Sequence, residues 1–180
     1  MHAKLRVGVG VILIVTGITL LFTYNAYNRM TRTYTEQELA ADATRRIVQN
    51  AGGKGHVRDV QLQVQQSIGH NKVLLYSYHF TNAGEASGYV MYEERDGKYK
   101  VKLENRLAAA VSDNQTNAGL HYILSDGYWI VCGIVRDGEP DTYEIRSGQT
   151  VIQDVFERDQ YFIKEYVLGN PAEVKITPLN

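Results

Sequence analysis

An uncharged and almost wholly apolar stretch near the start of the chain, Val7–Tyr24, most constrains what this sequence can fold into. A helix rises about 1.5 Å per residue, so a helix over this stretch is about 27 Å long, close to a bilayer's hydrocarbon thickness. Lys4 and Arg6 precede it, and tyrosines lie at its far end, where their rings favour the headgroup layer. We therefore predict a transmembrane anchor over residues 7–24, after a short tail over residues 1–6.

A cleaved signal peptide is the rival interpretation of the same stretch. Signal peptides have an apolar core of about 7–15 residues and small residues at the cleavage site. The apolar run here is longer, and bulky Tyr24 occupies the position where a small side chain is needed. The sequence favours an uncut signal-anchor that contacts membrane lipid through residues 7–24.

The orientation of a single-pass protein follows the basic residues that flank its anchor. Lys4 and Arg6 on one side nearly balance Arg29 and Arg32 on the other. A short N-terminus in the cytoplasm with an exported domain is the commoner arrangement. We therefore expect a cell-membrane protein with an extracytoplasmic C-terminal domain over residues 35–180.

The composition is that of a folded domain. The chain is 44% hydrophobic and 22% charged, which is too apolar for a disordered tether. Its net charge of −1 comes without a clustered basic face, so we expect no nucleic-acid partner. Thirteen tyrosines suggest half-exposed strands, because tyrosine can bury its ring while water solvates its hydroxyl.

One amphipathic helix is predicted after a juxtamembrane linker over residues 25–34. Thr35 and Glu38 have the spacing of a capping box, in which each residue satisfies a backbone amide of the first turn. Apolar residues recur at four-residue spacing as far as residue 51, and Gly52-Gly53 ends the pattern. The sequence predicts a helix over residues 36–51.

The hydrophobic period then changes to two, which indicates strands. Residues 73–80 are apolar at both parities and predict a strand that is buried on both faces. Asp96-Gly97 predicts a type I′ hairpin turn closed by Arg95 and Lys98. Counting back from that turn gives four pairs: Tyr92 with Val101, Val90 with Leu103, Glu93 with Lys100, and Met91 with Lys102.

The second half also predicts strand after strand. A polar run over residues 112–117 marks a candidate seam between subdomains 35–111 and 118–180. Strands are expected over residues 120–124, 128–136, 141–146, 150–155, 161–168 and 173–177. Ser147-Gly148 resembles the first hairpin turn and would pair Tyr143 with Ile152, which raises the hypothesis of an internal repeat.

The fold class predicted from these elements is α+β: a transmembrane helix, one amphipathic helix and two consecutive antiparallel meanders. The order of elements over residues 35–105 resembles cystatin-like modules, in which a sheet wraps around one helix. It also resembles the small PepSY-type domains found on the outside of bacterial cells. These resemblances concern the order of elements and imply no catalytic residues.

No constellation of catalytic, cofactor-binding or metal-binding residues stands out in the sequence. The histidines have no partners at metal-ligand spacing; they are His2, His56, His70, His79 and His121. Cys132 lies in an apolar strand and is expected to fill the core. We therefore predict no catalytic residues, no cofactor and no metal.

Three further patterns have simple structural explanations. The carboxylates of residues 137–141 fit an exposed turn better than a calcium loop. Gly84 to Gly88 lacks the serine position of a nucleophile elbow. Lys98, Lys100 and Lys102 alternate along a strand and are expected on a solvated face, where Glu93 partly neutralises them.

The leading functional hypothesis is a non-enzymatic domain that binds a protein or an envelope component. A second hypothesis is a membrane-tethered hydrolase, which would require His79 or His121 to meet a carboxylate or Cys132 in a cleft. A third is a structural subunit of an envelope or secretion complex.

Overall fold

A computed structural model describes residues 16–20, 23–24, 31–50, 56–81, 84–104, 120–167 and 174–179. Its long elements are one helix and ten strands within these ranges: α1 Glu36–Asn50, β1 Val57–Ile68, β2 Asn71–Phe80, β3 Gly84–Arg95, β4 Lys98–Glu104, β5 Leu120–Ser125, β6 Tyr128–Ile134, β7 Thr142–Ser147, β8 Thr150–Val155, β9 Tyr161–Val167 and β10 Val174–Leu179.

The strands form three antiparallel sheets. Sheet A has the strand order β1-β2-β3-β4, sheet B the order β5-β6-β9, and sheet C the order β10-β7-β8. Sheet A is a simple meander, whereas sheets B and C interleave along the chain, because β9 returns to β6 and β10 returns to β7. Together with α1 they make four layers, each packed on the next through a separate cluster of buried residues.

Helix α1 covers one face of sheet A. Its apolar stripe at four-residue spacing is almost completely buried and consists of Leu39, Ala43 and Ile47. The facing side of the sheet supplies every second residue of β2, including Leu74 and Tyr76. At the start of the helix, the Thr35 N–H donates to Oε2 of Glu38 at 2.8 Å, which confirms the Glu38 half of the capping box.

The other face of sheet A packs on sheet B. Val73 and Leu75 of β2 are 0% exposed and contact the same cluster as Ile130 and Cys132 of β6. The opposite face of β6, with Trp129 and Val131, packs on sheet C. Strands β2 and β6 are therefore buried on both faces, which confirms the prediction for residues 73–80.

The predicted fold class is wrong in two respects. Among the described residues the chain is mostly antiparallel β-sheet, with 64% strand and 17% helix, and this part is not an α+β fold with a transmembrane helix. The second half is also not one meander but two interleaved sheets. The division of residues 35–180 at the polar run 112–117 stays a prediction, since residues 105–119 lie outside the described residues.

The membrane-spanning helix predicted over residues 7–24 is contradicted. A span needs about 20 apolar residues. No helix among the described residues is long and apolar enough to cross a membrane. Within the predicted anchor, residues 16–20 and 23–24 are helical, and the others lie outside the described residues. The single-pass topology and the cell-membrane location depended on this helix and are contradicted with it.

The hairpin between β3 and β4 confirms the predicted turn but only part of the predicted register. Asp96 and Gly97 have φ of 53° and 71°, as a type I′ turn requires. Tyr92 lies opposite Val101 and Glu93 opposite Lys100, as predicted. Beyond Tyr92 a bulge shifts the pairing by one residue. Met91 therefore lies opposite Leu103, and Val90 opposite Glu104.

The predicted register of the β7–β8 hairpin is wrong. The turn residues are Gly148 and Gln149, so Tyr143 lies opposite Asp154 and not opposite Ile152. Only Gly148 of the two has a positive φ, 58°, which is the requirement of a type II′ turn. The two hairpins thus differ in turn type, and their registers no longer support an internal repeat.

Several tyrosines are fully buried, although the tyrosine content had suggested half-exposed strands. Tyr76, Tyr78 and Tyr92 are at most 1% exposed. Their hydroxyls bond to protein groups rather than to solvent: Tyr76 donates to the Ala40 carbonyl at 3.3 Å and Tyr78 to the Ser87 carbonyl at 3.0 Å. A buried hydroxyl is tolerated when it has such a partner.

Candidate functional site

Four side chains meet between sheets A and B and form what we call the intersheet polar cluster: Ser87, Tyr89, His121 and Cys132. Strand β3 supplies the first two, and the antiparallel pair β5–β6 places His121 directly opposite Cys132. Oγ of Ser87 lies 2.9 Å from Nε2 of His121. The rings of Tyr89 and His121 meet edge to face, with centroids 5.6 Å apart.

Burial keeps the cluster uncharged at neutral pH. Ser87 is 7% exposed and His121 is 9% exposed. Burial disfavours the imidazolium and lowers the pKa of His121 to about 4, although the contact with Ser87 opposes this shift. Burial also raises the pKa of the Cys132 thiol to about 12. The cluster therefore combines a neutral imidazole with a protonated thiol.

The hydrolase hypothesis required His79 or His121 to meet Cys132 or a carboxylate in a cleft. His121 does lie beside Cys132, but a reactive cysteine needs a thiolate that a substrate can reach. Here the thiol is fully buried and protonated. The cluster places a histidine beside a serine and a cysteine, but these side chains are buried and uncharged. Its geometry therefore favours a structural hydrogen bond between sheets A and B over catalysis.

His79 lies at the rim of this layer, opposite Glu85 on the neighbouring strand. The Glu85 carboxylate instead accepts hydrogen bonds from Arg136 and from the Tyr161 hydroxyl, the latter at 2.9 Å. Nδ1 of His79 is buried without a hydrogen-bond partner among the described residues. The structure thus brings a histidine and a carboxylate onto adjacent strands but does not pair them.

The other sequence candidates have ordinary structural roles. His56 and His70 are exposed, as expected of surface and turn histidines. Asp137 and Asp141 both contact the Arg158 guanidinium, at 3.8 Å and 3.0 Å. Within the described ranges, no group of three or more His, Cys, Asp or Glu is placed to hold a metal ion.

The predicted basic stripe on β4 is only partly solvated. Lys98 and Lys100 are exposed, as expected for a solvated face. Lys102 is instead half-buried, and its Nζ donates to Asp126 at 2.6 Å and to Asn71 at 3.2 Å. The sequence did not suggest this contact, which joins β4 to the β5–β6 turn.

Replacement of Ser87 by alanine should destabilise the fold by about 1–3 kcal/mol, because it removes the buried hydroxyl that lies 2.9 Å from Nε2 of His121. Urea denaturation of the variant measures this change. The double variant Ser87→Ala/His121→Leu removes both partners, so it should lose less than the sum of the two single variants. Strict additivity would contradict a hydrogen bond between them.

The outer edge of β8 is the second candidate site, and sequence reasoning predicted the strand without its position. The two-residue turn makes Ser147 and Thr150 a hydrogen-bonded pair, and such pairs alternate along an antiparallel ladder. Thr150, Ile152 and Asp154 therefore direct their backbone groups towards β7. The backbone N–H and C=O groups of Val151 and Gln153 point away from the sheet, and no described residue is hydrogen-bonded to them.

At the end of this edge away from the turn, the backbone groups of Val155 are already hydrogen-bonded. The Asp154 carboxylate accepts a hydrogen bond from the Val155 N–H, and Nζ of Lys164 donates to the Val155 carbonyl, both at 2.8 Å. Asp154 also accepts bonds from Lys164 and Tyr166. Burial favours the neutral acid, but these bonds outweigh it and lower the pKa of Asp154. Both edge groups of Val155 are thus occupied inside the protein.

Three other sheet edges, those of β4, β1 and β10, carry features that discourage pairing with another chain. Tyr34 already pairs with Tyr99 on the edge of β4, with N–H···O distances of 2.8 Å in both directions. Strand β1 has two register shifts, and β10 contains Pro178, which has no N–H. The edge of β8 has none of these features between Val151 and Gln153.

No family model matches this chain, and no curated protein or solved structure matches it either. Fold-level analogy therefore contributes no site residues. Of the two candidate sites, the intersheet polar cluster is buried, whereas the edge of β8 lies at the surface. Val151 and Val155 on this edge are 46% and 58% exposed.

Proposed function

We propose that this chain is a protein-binding domain that adds an extended segment of a protein partner to the edge of β8. The observation that carries the proposal is the pair of outward-facing residues, Val151 and Gln153, whose N–H and C=O groups have no partner in the described structure. An edge of this kind supplies main-chain hydrogen bonds to an added strand.

The side chains around this edge suit such a partner. Val151 and Val155 lie on the outer face of sheet C and are exposed, so alternate side chains of an added strand can pack beside them. Ile152 points to the inner face and joins the buried cluster between sheets B and C. The strand is therefore held on a packed layer, which limits the entropy lost on binding.

A photo-crosslinking amino acid at position 151 tests this proposal in cells that produce the full chain. Position 48 is the matched control, because Val48 on α1 is also a half-exposed valine, 48% against 46% for Val151. We expect an adduct with a protein from position 151 and none from position 48. Equal adducts from both positions would contradict a specific docking edge.

A proline at position 153 separates backbone pairing from mere proximity. Gln153→Pro removes only an outward N–H, so the ladder with β7 stays intact, and proline is tolerated on edge strands. Gln153→Ala keeps the N–H and serves as the control. The adduct from position 151 should be lost in the first variant and kept in the second. Loss in both variants, or in neither, would contradict strand addition.

A further inference from the structure

Resting on the proposed function, we infer that the segment added to β8 is β8 of a second copy of this chain, antiparallel and centred on Ile152. The free part of the edge is short. It holds one N–H and one C=O at Val151 and the same pair at Gln153, and within the described ranges none of these four groups is hydrogen-bonded. The Gly148-Gln149 turn bounds it on one side.

On the other side, the free part ends at Val155, whose backbone groups are already hydrogen-bonded. The N–H and C=O of Val155 are bonded to Asp154 and Lys164. A long strand from an unrelated partner would continue past Gln153 and meet these occupied groups. A second copy of β8 carries the same short pattern and the same stop.

A twofold axis through Ile152 matches every free group with another. In this register Val151 lies opposite Gln153 of the second copy, and Gln153 opposite its Val151. Two residues of a hydrogen-bonded pair exchange both of their N–H···O bonds. The two pairs therefore make four hydrogen bonds and use all four free groups of each copy.

The alternative registers of two β8 strands are less favourable. An axis through Gln153 would pair Val151 with Val155, whose backbone groups are already occupied. An axis through Val151 would pair Gln153 with the turn residue Gln149. Only the axis through Ile152 leaves no free group unpaired.

Side chains across this register are compatible in charge. Asp154 lies opposite Thr150 of the second copy, so no like charges face each other across the axis, and a threonine hydroxyl can donate to a carboxylate. Val151 lies beside Gln153 on the outer face. Ile152 lies beside its own copy on the inner face and extends the apolar cluster between sheets B and C.

Cysteine cross-linking of the purified full chain tests the register. Ile152 and its copy form a non-hydrogen-bonded pair, whose Cα atoms are about 4.5 Å apart, within the range of a disulfide. Ile152→Cys should therefore form a covalent dimer of two 20.3 kDa chains on mild oxidation. The native Cys132 is buried and is not expected to react.

Two further variants distinguish this register from random collision. Val151→Cys and Gln153→Cys should each cross-link poorly alone, because identical positions are offset, but should cross-link with each other when mixed. Gln153→Pro in the Ile152→Cys chain removes two of the four hydrogen bonds and should lower the dimer fraction roughly tenfold or more. Gln153→Ala should leave it unchanged.

The outcomes separate this inference from the proposed function. If Ile152→Cys does not fold, the mixed Val151→Cys and Gln153→Cys chains and the mass of the unmodified protein in sedimentation still decide. A strictly monomeric native chain without mixed cross-links would overturn the inference that the added strand comes from a second copy. If position 151 nevertheless captures a different protein in cells, and Gln153→Pro abolishes that adduct, strand addition stands with another partner. If neither result is obtained, both proposals fail.

Discussion

Asp42→Ala should destabilise the fold by about 3–5 kcal/mol, the cost of removing one partner from a buried ion pair. The Asp42 side chain is 2% exposed and accepts a hydrogen bond from Nε of Arg46 at 2.7 Å. It also contacts Arg45 and accepts a bond from the Tyr92 hydroxyl at 3.0 Å. Removing the carboxylate takes away the negative charge beside the Arg46 guanidinium and the nearer of two acceptors of the buried Tyr92 hydroxyl.

The contact with Tyr92 also joins α1 to sheet A, so the loss extends beyond the helix. Burial favours the neutral form of Asp42, but the hydrogen bonds it accepts outweigh this and lower its pKa. The carboxylate is thus ionised at neutral pH. Chemical denaturation monitored by tyrosine and tryptophan fluorescence measures the change in the free energy of unfolding.

Arg45→Ala is the matched control, because Arg45 contacts the same carboxylate from the surface. Its side chain is 44% exposed, against 18% for Arg46. Exposed ion pairs contribute less than about 1 kcal/mol, so this variant should be nearly as stable as the native chain. A loss at Arg45→Ala as large as at Asp42→Ala would contradict the division into a buried and an exposed pair.

Acidification from pH 6.5 to pH 4 should remove on the order of 3 kcal/mol of stability through His121 alone. Burial lowers the pKa of His121 from 6.5 to about 4 in the folded chain. Above pH 6.5 both states are neutral at this residue, and its titration has no effect. Below pH 6.5 the unfolded chain takes up a proton that the folded chain does not, so unfolding becomes more favourable until the pH reaches about 4.

This window differs from that of the structural carboxylates. The pKa values of three aspartates lie below the unperturbed 3.8, and that of Glu38 lies below 4.5; the aspartates are Asp42, Asp126 and Asp154. Their contribution is present above those values and is lost as the pH falls through the lowered pKa values. The free energy of unfolding between pH 7 and pH 4 should therefore report mainly His121. Denaturation at several pH values gives this profile.

The control variant is Ser87→Ala/His121→Leu, which removes the titrating ring together with its buried partner. Its stability should be nearly independent of pH between 6.5 and 4. A profile as steep as that of the native chain would show that another group takes up the proton.

The strands could be predicted from the sequence, but the layers could not. Residues 73–80 and 128–136 are apolar at both parities, and burial on both faces follows from that pattern alone. The pattern does not say what covers each face. That β9 returns to β6 and β10 to β7 depends on contacts between residues far apart in sequence, which local periodicity does not encode.

The errors in register have local physical causes. The bulge inserts Lys102 of β4 between the partners of Tyr92 and Met91. Val90, Met91 and Tyr92 are all at most 1% exposed, so this part of β3 is buried on both faces and its hydrophobic pattern does not fix the register against β4. At the β7–β8 hairpin, the predicted and observed registers differ by two residues. A shift of two keeps every side chain on its face, so only the positive φ of Gly148 distinguishes the two registers.

The candidate sites were harder to predict from the sequence than the strands. Ser87 of β3 meets His121, 34 residues along the chain, and no local pattern in the sequence links the two. Cys132 was expected in the core, and the structure confirms this. The free edge of β8 carries no sequence signal of its own, because an edge strand is defined by the neighbour it lacks.

Strand β2 belongs to two cores at once: alternate side chains pack under α1 and against sheet B. Neither core can open without moving the backbone that the other core holds in place. The helix, sheet A and sheet B should therefore lose their structure as one cooperative unit, with amide exchange in β2 and β6 governed by global unfolding. Local fraying is expected only in the outer strands, which include β8 and its outward-facing amides.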